Sequence, residues 1–359
     1  MKILVCGNYG VGNLGDEALL SGLHELFTEL TTDAELVAMG KGRLFPFGIR
    51  SFLRSLINWK LWARPYRLMR EADIVVIGGG GLFTDEERAL AGLFWALHGL
   101  VAHYLLKRPV LVLGVSSGTM GAVSSWATQR LVRVARLVSV RDRRTLKKFS
   151  GWREGVVAGP DLSYFCSEFA DAQTENRPAT EKYVIFALRP FKLFTENMIK
   201  ICAQFADFLV QNYRYRIVFL PFDKKTGSDG HFMNKIIEQM VNKKAAIVHP
   251  FSSDRRMISQ KLFGAELIYA MRLHAGIFSI LSNAALIPLN YMTKSKAFWE
   301  QFGDIKALEC KGLNLAELIE SSKTPSSELK AHSVGAREKL GKAAAHLKTH
   351  LRKVLKTSI

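Results

Sequence analysis

Short, unbroken apolar runs alternate along the chain with longer segments of helical periodicity. In the first half these runs cover residues 3–6, 35–39, 72–77, 109–113 and 137–140. Each run is apolar at nearly every position, which predicts a strand buried on both faces, as in a parallel sheet covered by helices. After a polar linker around residues 171–181, the pattern resumes at residues 183–188, 216–220, 245–248, 267–270 and 286–289.

The repeated strand and helix unit predicts an α/β protein with two doubly wound, Rossmann-like parallel-sheet domains and a cleft between them. We place the N-terminal domain at residues 1–170 and the C-terminal domain at residues 183–325. Residues 326–359 are rich in basic side chains and predict a long solvated helix from Glu328 to about Leu355. A chain of 359 residues has the length for two such domains.

A glycine-rich turn directly follows the first predicted strand. Residues 7–15 hold four glycines and two asparagines, and a helical pattern begins at residue 17. Backbone N–H groups point outward at such a helix start, so the turn predicts an anion or polar-ligand site. A turn that merely requires small residues is the alternative.

Residues 10–15 also match the G-x-G-x-x-G fingerprint of dinucleotide sites. That fingerprint requires an acidic residue about 20 positions further, at the end of the second strand. Here the second strand ends in Gly40 and Lys41, and Asp16 and Glu17 would face a pyrophosphate with like charge. These residues argue against a dinucleotide cofactor.

The cysteine spacing and the hydropathy pattern argue against a disulfide-rich, zinc-binding or membrane-spanning protein. The four cysteines are far apart and form no C-x-x-C pair, so we expect neither a disulfide framework nor a zinc site. The N-terminal apolar run is too short for a signal peptide, and no stretch approaches the roughly 18 apolar residues of a membrane span. We therefore expect a cytoplasmic protein without a metal.

Lysine and arginine outnumber aspartate and glutamate by 50 to 32, and the excess is unevenly placed. Residues 41–70 hold eight basic side chains and no acidic one. With a helical turn of about 100° per residue, one face collects Phe52, Trp59, Trp62, Tyr66 and Met69, and the basic residues lie opposite. This pattern suits peripheral contact with an anionic membrane, at the inner face of the cytoplasmic membrane, or an aromatic face packed into a domain core. No nucleic-acid-binding module is recognisable, so we expect no nucleic-acid partner.

Basic side chains directly follow several predicted strands. They are Arg141, Arg189, Arg272, His274 and Lys294. In doubly wound sheets, ligands bind beyond the carboxyl ends of the strands, where these residues and the glycine runs fall. The pattern predicts a site for a small, multiply charged anion, with His274 best able to carry a proton near neutral pH. Taken singly, each residue could also be a salt-bridged arginine or a core histidine.

An ordered series of motifs resembles the polysaccharide pyruvyl transferases over roughly residues 1–303. The series is Asn13-Leu14-Gly15-Asp16-Glu17-Ala18-Leu19-Leu20, the glycine run 78–81, Val140-Arg141-Asp142, Gly159-Pro160-Asp161-Leu162, Arg272-Leu273-His274-Ala275 and Tyr291-Met292-Thr293-Lys294. The resemblance implies a GT-B-like arrangement of the two domains and phosphoenolpyruvate as the pyruvyl donor. It also implies a saccharide acceptor, often on a lipid carrier, and no metal or other cofactor.

The resemblance also implies roles for individual residues. Arg141 and Lys294 would bind the donor's anionic groups and stabilise charge, and His274 would transfer protons. Asp16 would accept a proton from an attacking sugar hydroxyl. The expected substrate-binding residues are Asn13, Gly15, Gly79, Gly80, Arg189 and Arg272. Of these, Arg272 either contacts the substrate or anchors its own loop.

Two features depart from the family pattern. The family's loop commonly reads Tyr-Asp-Pro-Lys, whereas Met292 and Thr293 stand in its middle here and Lys296 offers a rival lysine. The basic segment 41–70 is not typical of the family either. Two further functions therefore stay open, namely a GT-B-type nucleotide-sugar glycosyltransferase and a non-catalytic anion- or lipid-binding protein.

Overall fold

The computed structural model describes residues 1–31, 33–39, 60–86, 88–169, 181–191, 196–224 and 229–357, with their side chains except those of residues 60–62 and 294. The chain forms two compact units. The first comprises Met1–Val11, Asp16–Cys166 and Leu340–Ile359, and the second comprises Gly12–Gly15 and Ser167–Lys339. These boundaries differ from the sequence-based domains, because Gly12–Gly15 groups with the second unit and the C-terminal residues group with the first.

The first unit is built on a six-stranded parallel sheet. Its strands are β1 (Lys2–Cys6), β2 (Glu35–Ala38), β3 (Ile74–Phe83), β4 (Val110–Ser117), β5 (Leu137–Val140) and β6 (Val157–Ala158). They lie in the order β2-β1-β3-β4-β5-β6. β3 runs beyond the predicted apolar stretch, through the glycine run, to Phe83.

Helices cover both faces of this sheet, which explains why its strands are apolar throughout. One face packs against α1 (Leu14–Leu30) through Leu19, Leu23 and Phe27. The other face packs against α2 (Lys60–Glu71), α3 (Ala91–Leu100), α4 (Ala122–Val134) and α5 (Arg143–Ser150). A π-helical turn, Val101–Leu105, continues α3.

The second unit contains another six-stranded parallel sheet. Its strands are β7 (Tyr183–Ala187), β8 (Arg216–Phe219), β9 (Ala246–Val248), β10 (Leu267–Ala270), β11 (Leu286–Asn290) and β12 (Leu308–Glu309), in the order β12-β11-β10-β7-β8-β9. Its helices are α6 (Glu196–Tyr213), α7 (Asp229–Gln239), α8 (Arg255–Phe263), α9 (Leu273–Leu281), α10 (Thr293–Trp299) and α11 (Leu315–Ser322). The predicted α/β class with two doubly wound parallel sheets is confirmed.

The last helix, α12 (Ser326–Lys356), is not the solvated helix expected from the sequence. Leu347, Leu351 and Leu355 are buried in the first unit's core, in the same cluster as Leu23 and Phe27. Their spacing of four residues places them on one helical face. The expectation was wrong because the charged residues of the opposite face dominate the composition of this segment.

The basic aromatic segment 41–70 is described only in part. Its residues 41–59 lie outside the described residues, and α2 carries the rest. Met69 is buried in the core beneath α2, whereas Arg64, Tyr66 and Arg67 are exposed. The described end therefore combines a core contact with an exposed basic face. None of the helices in the described ranges has the length and apolar character needed to cross a membrane.

Candidate functional site

Each sheet has a topological switch point, the place where ligand sites of doubly wound folds lie. The strand order reverses between β1 and β3 in the first sheet, and between β7 and β10 in the second. The glycine turn after β1 and the glycine run 78–81 border the first switch point. Arg189, Arg272 and His274 follow the strands that border the second.

At the first switch point the phenol of Tyr9 links the two glycine segments. Its hydroxyl donates to the carbonyl of Gly78 over 2.5 Å. Burial and the nearby Asp16 carboxylate raise the pKa of Tyr9, so the hydroxyl keeps its proton and remains a donor. Gly79 and Gly80 follow with φ of 75° and 87°, which residues with a β-carbon rarely adopt. Substrate binding by Gly79 and Gly80, which the sequence predicts, would therefore depend on a backbone conformation that favours glycine.

The carboxylates at the start of α1 hold the glycine turn in place. Asp16 Oδ2 accepts a hydrogen bond from Asn8 Nδ2 at 2.9 Å, and Glu17 Oε1 accepts one from Gly10 N at 2.8 Å. Asp16 is half-buried. It thus has a structural contact in addition to the proton-accepting role that the sequence predicts for it.

Arg141, which follows β5, is buried and charge-compensated within the first unit. Its Nη1 lies 2.5 Å from Asp161 Oδ2, and its Nε and Nη2 donate to Ser116 Oγ at 3.1 and 3.0 Å. The other carboxylate oxygen of Asp161 accepts from the backbone and hydroxyl of Ser163. The predicted contact of Arg141 with a donor anion remains a prediction, and it would have to coexist with this ion pair.

A second polar cluster lies beside Arg141, at the carboxyl end of β4. Asp142 caps α5, and its two carboxylate oxygens accept from Thr145 N and Thr145 Oγ1, each at 2.8 Å. Burial raises the pKa of Asp142 although these hydrogen bonds oppose the rise. Lys148 Nζ donates to Ser117 Oγ at 3.2 Å, and burial together with Arg144 lowers the pKa of this lysine. This cluster was not predicted from the sequence, where the Asp-x-x-Thr cap spacing is only a weak signal.

In the second unit, Arg272 is held by the carboxylate of Asp229. Arg272 Nη2 lies 2.5 Å from Asp229 Oδ1, and Nε lies 3.0 Å from Asp229 Oδ2. The same Nη2 is 3.6 Å from Asp223 Oδ2. Asp229 is fully buried and also accepts from Phe222 N at 3.0 Å. Arg272 therefore anchors the loop before α9, which is one of the two roles left open by the sequence.

The segment Gly12–Gly15 belongs to the second unit through backbone pairing. Leu14 N donates to Phe222 O at 3.0 Å, and Lys224 N donates to Gly12 O at 2.9 Å. Asn13 faces Asp223 across this short antiparallel bridge. The side chain of Asn13 stabilises the turn, because its Oδ1 accepts from Gly15 N at 3.0 Å.

His274, in the first turn of α9, packs directly on this segment. A β-carbon on Gly15 would collide with the imidazole ring, so only glycine leaves room for it. On its other side the imidazole is 6.0 Å, centroid to centroid, from Phe278. The second unit therefore brings together Asn13, Gly15, Arg272 and His274, four of the residues predicted for the site.

Arg189 follows β7 and contacts the residue that follows β11. Its Nη1 donates to the hydroxyl of Tyr291 at 3.0 Å, and Tyr291 packs edge-on against Phe191 at 4.9 Å. An aromatic partner for Arg189 was not predicted, since the two residues are 102 positions apart.

The Tyr291 loop contains two lysines, Lys294 and Lys296, and the structure describes the side chain of Lys296. Lys296 Nζ lies 3.0 Å from Glu309 Oε1 on the surface, so its charge already has a partner. Lys294 lies in the first turn of α10, and its side chain is outside the described part of the structure. In the ranges that the structure describes, no group of three or more His, Cys, Asp or Glu side chains is arranged to hold a metal.

Comparisons with known proteins place the chain in a family and a fold. The family model "Polysaccharide pyruvyl transferase" matches residues 13–292. The amylovoran biosynthesis protein AmsJ of Erwinia amylovora is 24% identical over an alignment of 369 residues, gaps included. The alignment covers 84% of this chain and 86% of that protein.

Solved structures with low sequence identity share the fold. The UDP-GlcNAc 2-epimerase of Neisseria meningitidis, bound to UDP-GlcNAc, superposes with a TM-score of 0.63 at 12% identity, covering 99% of this chain and 100% of that one. MnaA of S. aureus, in a co-structure with UDP, gives a TM-score of 0.63 at 10% identity, covering 92% and 90%. These matches agree with the GT-B-like fold class expected from the sequence. Because the family model spans ten of the twelve strands, β2 to β11, and all but the last of the resembling motifs in full, this chain belongs to the polysaccharide pyruvyl transferase family.

Proposed function

We propose that this protein transfers the pyruvyl group of phosphoenolpyruvate to a saccharide, forming a pyruvate ketal and releasing phosphate. The observation that supports the proposal most is the contact of His274 with Gly15. These two motif residues are far apart in sequence, yet the second unit packs one directly on the other. If the glycine turn merely required small residues, nothing would call for a histidine packed against Gly15.

The reaction sets the chemical requirements of the site. Two sugar hydroxyls each form a C–O bond to carbon 2 of phosphoenolpyruvate, whose bond to the phosphate oxygen breaks. The two sugar hydroxyls each give up a proton. One is in effect taken up by the methylene carbon, and the other leaves with the phosphate. Positive character develops at carbon 2 while phosphate leaves, so the site needs a proton carrier and cations for the carboxylate and phosphate.

This chain has residues suited to each requirement. His274 is the proton carrier, because its imidazole can donate and accept protons near neutral pH. Arg141 and Lys294 are the anion-binding cations of the proposal, and Arg189 adds a guanidinium at the second switch point. Arg272 acts through position, since both carboxylate oxygens of Asp229 already engage its Nε and Nη2.

Binding of the donor is tested first by thermal unfolding with phosphoenolpyruvate, NADP and UDP-GlcNAc in turn. A ligand present at 100 times its dissociation constant stabilises the folded protein by about 2.7 kcal/mol. We expect the largest shift with phosphoenolpyruvate. A shift with NADP or UDP-GlcNAc and none with phosphoenolpyruvate would contradict the proposed donor.

The role of His274 is tested by separating binding from turnover. His274→Ala should lower turnover by about 10²–10⁴-fold, the usual contribution of a general acid or base, while phosphoenolpyruvate still binds. His231→Ala, at an exposed position of α7, is the matched control and should behave as the wild type. Equal activity of the two variants would remove His274 from the mechanism.

A nucleotide-sugar glycosyltransferase is the second candidate, because one solved structure with this fold holds UDP-GlcNAc. It predicts release of UDP from a UDP-sugar in the presence of an acceptor, with no response to phosphoenolpyruvate. The same thermal and turnover measurements therefore distinguish the two functions. A non-catalytic anion- or lipid-binding protein would show binding with no turnover in either assay.

A further inference from the structure

The surface of the first unit carries a one-sided charge along residues 88–153, chiefly on α4, α5 and the loops beside them. Residues 88–153 contain twelve lysines and arginines, of which Arg141 is buried and paired with Asp161, and Asp142 is the sole acidic residue among them. Asp142 is buried as the cap of α5, so it does not offset the surface charge. Three carboxylates, at residues 85–87, directly precede this range. Asp85 accepts hydrogen bonds from Gly92 N and Gly121 N, and Glu86 accepts from the backbone and hydroxyl of Thr119.

Large apolar side chains are exposed on α4 and on two further helical elements of the first unit. In the described part of the chain, nine large apolar side chains are strongly exposed, and five of them lie in α2, the π-helical turn and α4. Four of these five are more than half exposed: Trp126 (56%), Val123 (55%), Tyr104 (54%) and Leu105 (66%). Scattered exposed apolar residues are ordinary, but a concentration on one helical layer marks a contact surface.

The geometry of the helices places these side chains on the side facing away from the sheet. The inner sides of α3 and α4 bury Phe94, Trp95, Ala127 and Leu131 against the strands. α3 and α4 pack side by side, because a β-carbon on Gly99 would meet Leu131 and one on Gly92 would approach Ser124.

The outer edge of α4 combines both kinds of side chain. Val123, Trp126, Arg130 and Arg133 follow one another at spacings of three, four and three residues, so they share one face. The guanidinium of Arg130 lies 5.6 Å from the Trp126 ring centroid. Tyr104, Leu105 and Lys107 are exposed in the segment that follows α3, on the side of the C-terminal end of α4, because Gly99 near the end of α3 packs against Leu131.

We propose that this surface, formed by Tyr104, Leu105, Lys107, Val123, Trp126 and Arg130, docks the protein onto an anionic lipid bilayer. A bilayer with anionic headgroups matches both observations, since it attracts lysine and arginine and accepts tryptophan, tyrosine and aliphatic side chains at the headgroup boundary. A nucleic acid would use the charge but leave Val123 and Leu105 without a partner. The exposed basic residues of α2, which covers the same side of the sheet, add to the attraction.

The proposal is tested with the full chain and vesicles of phosphatidylcholine alone or mixed with phosphatidylglycerol. We expect sedimentation with the anionic vesicles only, weaker binding as salt rises, and a blue shift of tryptophan fluorescence on binding. No phosphoenolpyruvate or acceptor is needed, so the result stands apart from the test of pyruvyl transfer.

Two pairs of variants locate the contact. Val123→Gln with Trp126→Gln removes apolar contact, and Lys107→Glu with Arg130→Glu reverses charge. Because each basic residue near an anionic surface strengthens binding, the charge variant, which reverses two of them, should bind roughly 30-fold or more weakly. The matched controls are Val241→Gln and Lys243→Glu with Lys244→Glu, all at exposed positions of the second unit, and they should bind as the wild type.

Three outcomes would overturn the proposal. The wild type could ignore anionic vesicles at low salt. Both surface variants could bind like their controls, which would place any membrane contact elsewhere. The charge variant alone could lose binding while duplex DNA competes fully with vesicles, which would identify a general polyanion surface. Thermal unfolding of every variant checks that folding is intact.

Discussion

Asp229 accepts hydrogen bonds from Arg272 through both carboxylate oxygens and a third from the backbone N–H of Phe222. Phe222 in turn accepts from Leu14 of the segment Gly12–Gly15. One buried carboxylate thus joins the loop that leads into His274 to the strand extension that holds Gly15. Asp229 therefore helps to position both Gly15 and His274, the two residues in contact at the candidate site.

Asp229→Asn should destabilise the protein markedly. The amide removes the negative charge, and Arg272 is then left mostly buried with only the more distant Asp223 to compensate it. Breaking a buried ion pair costs about 3–5 kcal/mol, and urea unfolding measures the difference. Glu309→Gln, which breaks the exposed pair with Lys296, should cost about 1 kcal/mol or less. Equal stabilities of the two variants would show that the Asp229 pair is not an anchor.

The Arg141–Asp161 pair predicts a split between stability and donor binding. Arg141→Ala and Asp161→Asn should each lower the free energy of unfolding by about 3–5 kcal/mol, because each leaves a buried partner uncompensated. Only Arg141→Ala should also abolish the thermal shift with phosphoenolpyruvate, since Asp161→Asn retains the cation. If both variants keep that shift, Arg141 is a structural residue.

Sequence reasoning recovered the sheets because a strand covered on both faces has a strong local signature. It did not recover Asp229, because the pairing with Arg272 spans 43 positions and no local pattern marks an aspartate as an ion-pair partner. It placed Gly12–Gly15 in the first domain for the same reason, since the hydrogen bonds to Phe222 and Lys224 are tertiary. The buried face of α12 is different, because the spacing of Leu347, Leu351 and Leu355 was visible in the sequence and was outweighed by charge.

Gly15→Ala should impair catalysis far more than a glycine-to-alanine change elsewhere. The added methyl group would press on the His274 imidazole and displace it. A displacement of about 1 Å at a catalytic group can lower the rate about 100-fold. Gly303→Ala, where an added β-carbon meets nothing, is the control, and both variants are compared in turnover and in thermal unfolding. Wild-type turnover in Gly15→Ala would contradict the role assigned to this contact.

The two lysines of the Tyr291 loop should differ in their effect on donor binding. Lys296 is paired with Glu309 on the surface, so Lys296→Ala should leave phosphoenolpyruvate binding nearly unchanged. Lys294→Ala should weaken binding and turnover together, because it removes a charge that faces an anion. Calorimetric titration of both variants with phosphoenolpyruvate measures the difference. A larger loss of binding in Lys296→Ala than in Lys294→Ala would instead assign the family's lysine to position 296.

Pyruvyl transfer itself is tested by analysis of the products. The protein is incubated with carbon-13-labelled phosphoenolpyruvate and a panel of lipid-linked and free saccharides, and both phosphate release and acceptor mass are followed. The account predicts a labelled ketal on one acceptor, with one phosphate released for each pyruvyl group transferred and with loss of both signals in His274→Ala. Phosphate release without label in any saccharide, or transfer of a sugar from UDP-GlcNAc in place of the pyruvyl group, would contradict it.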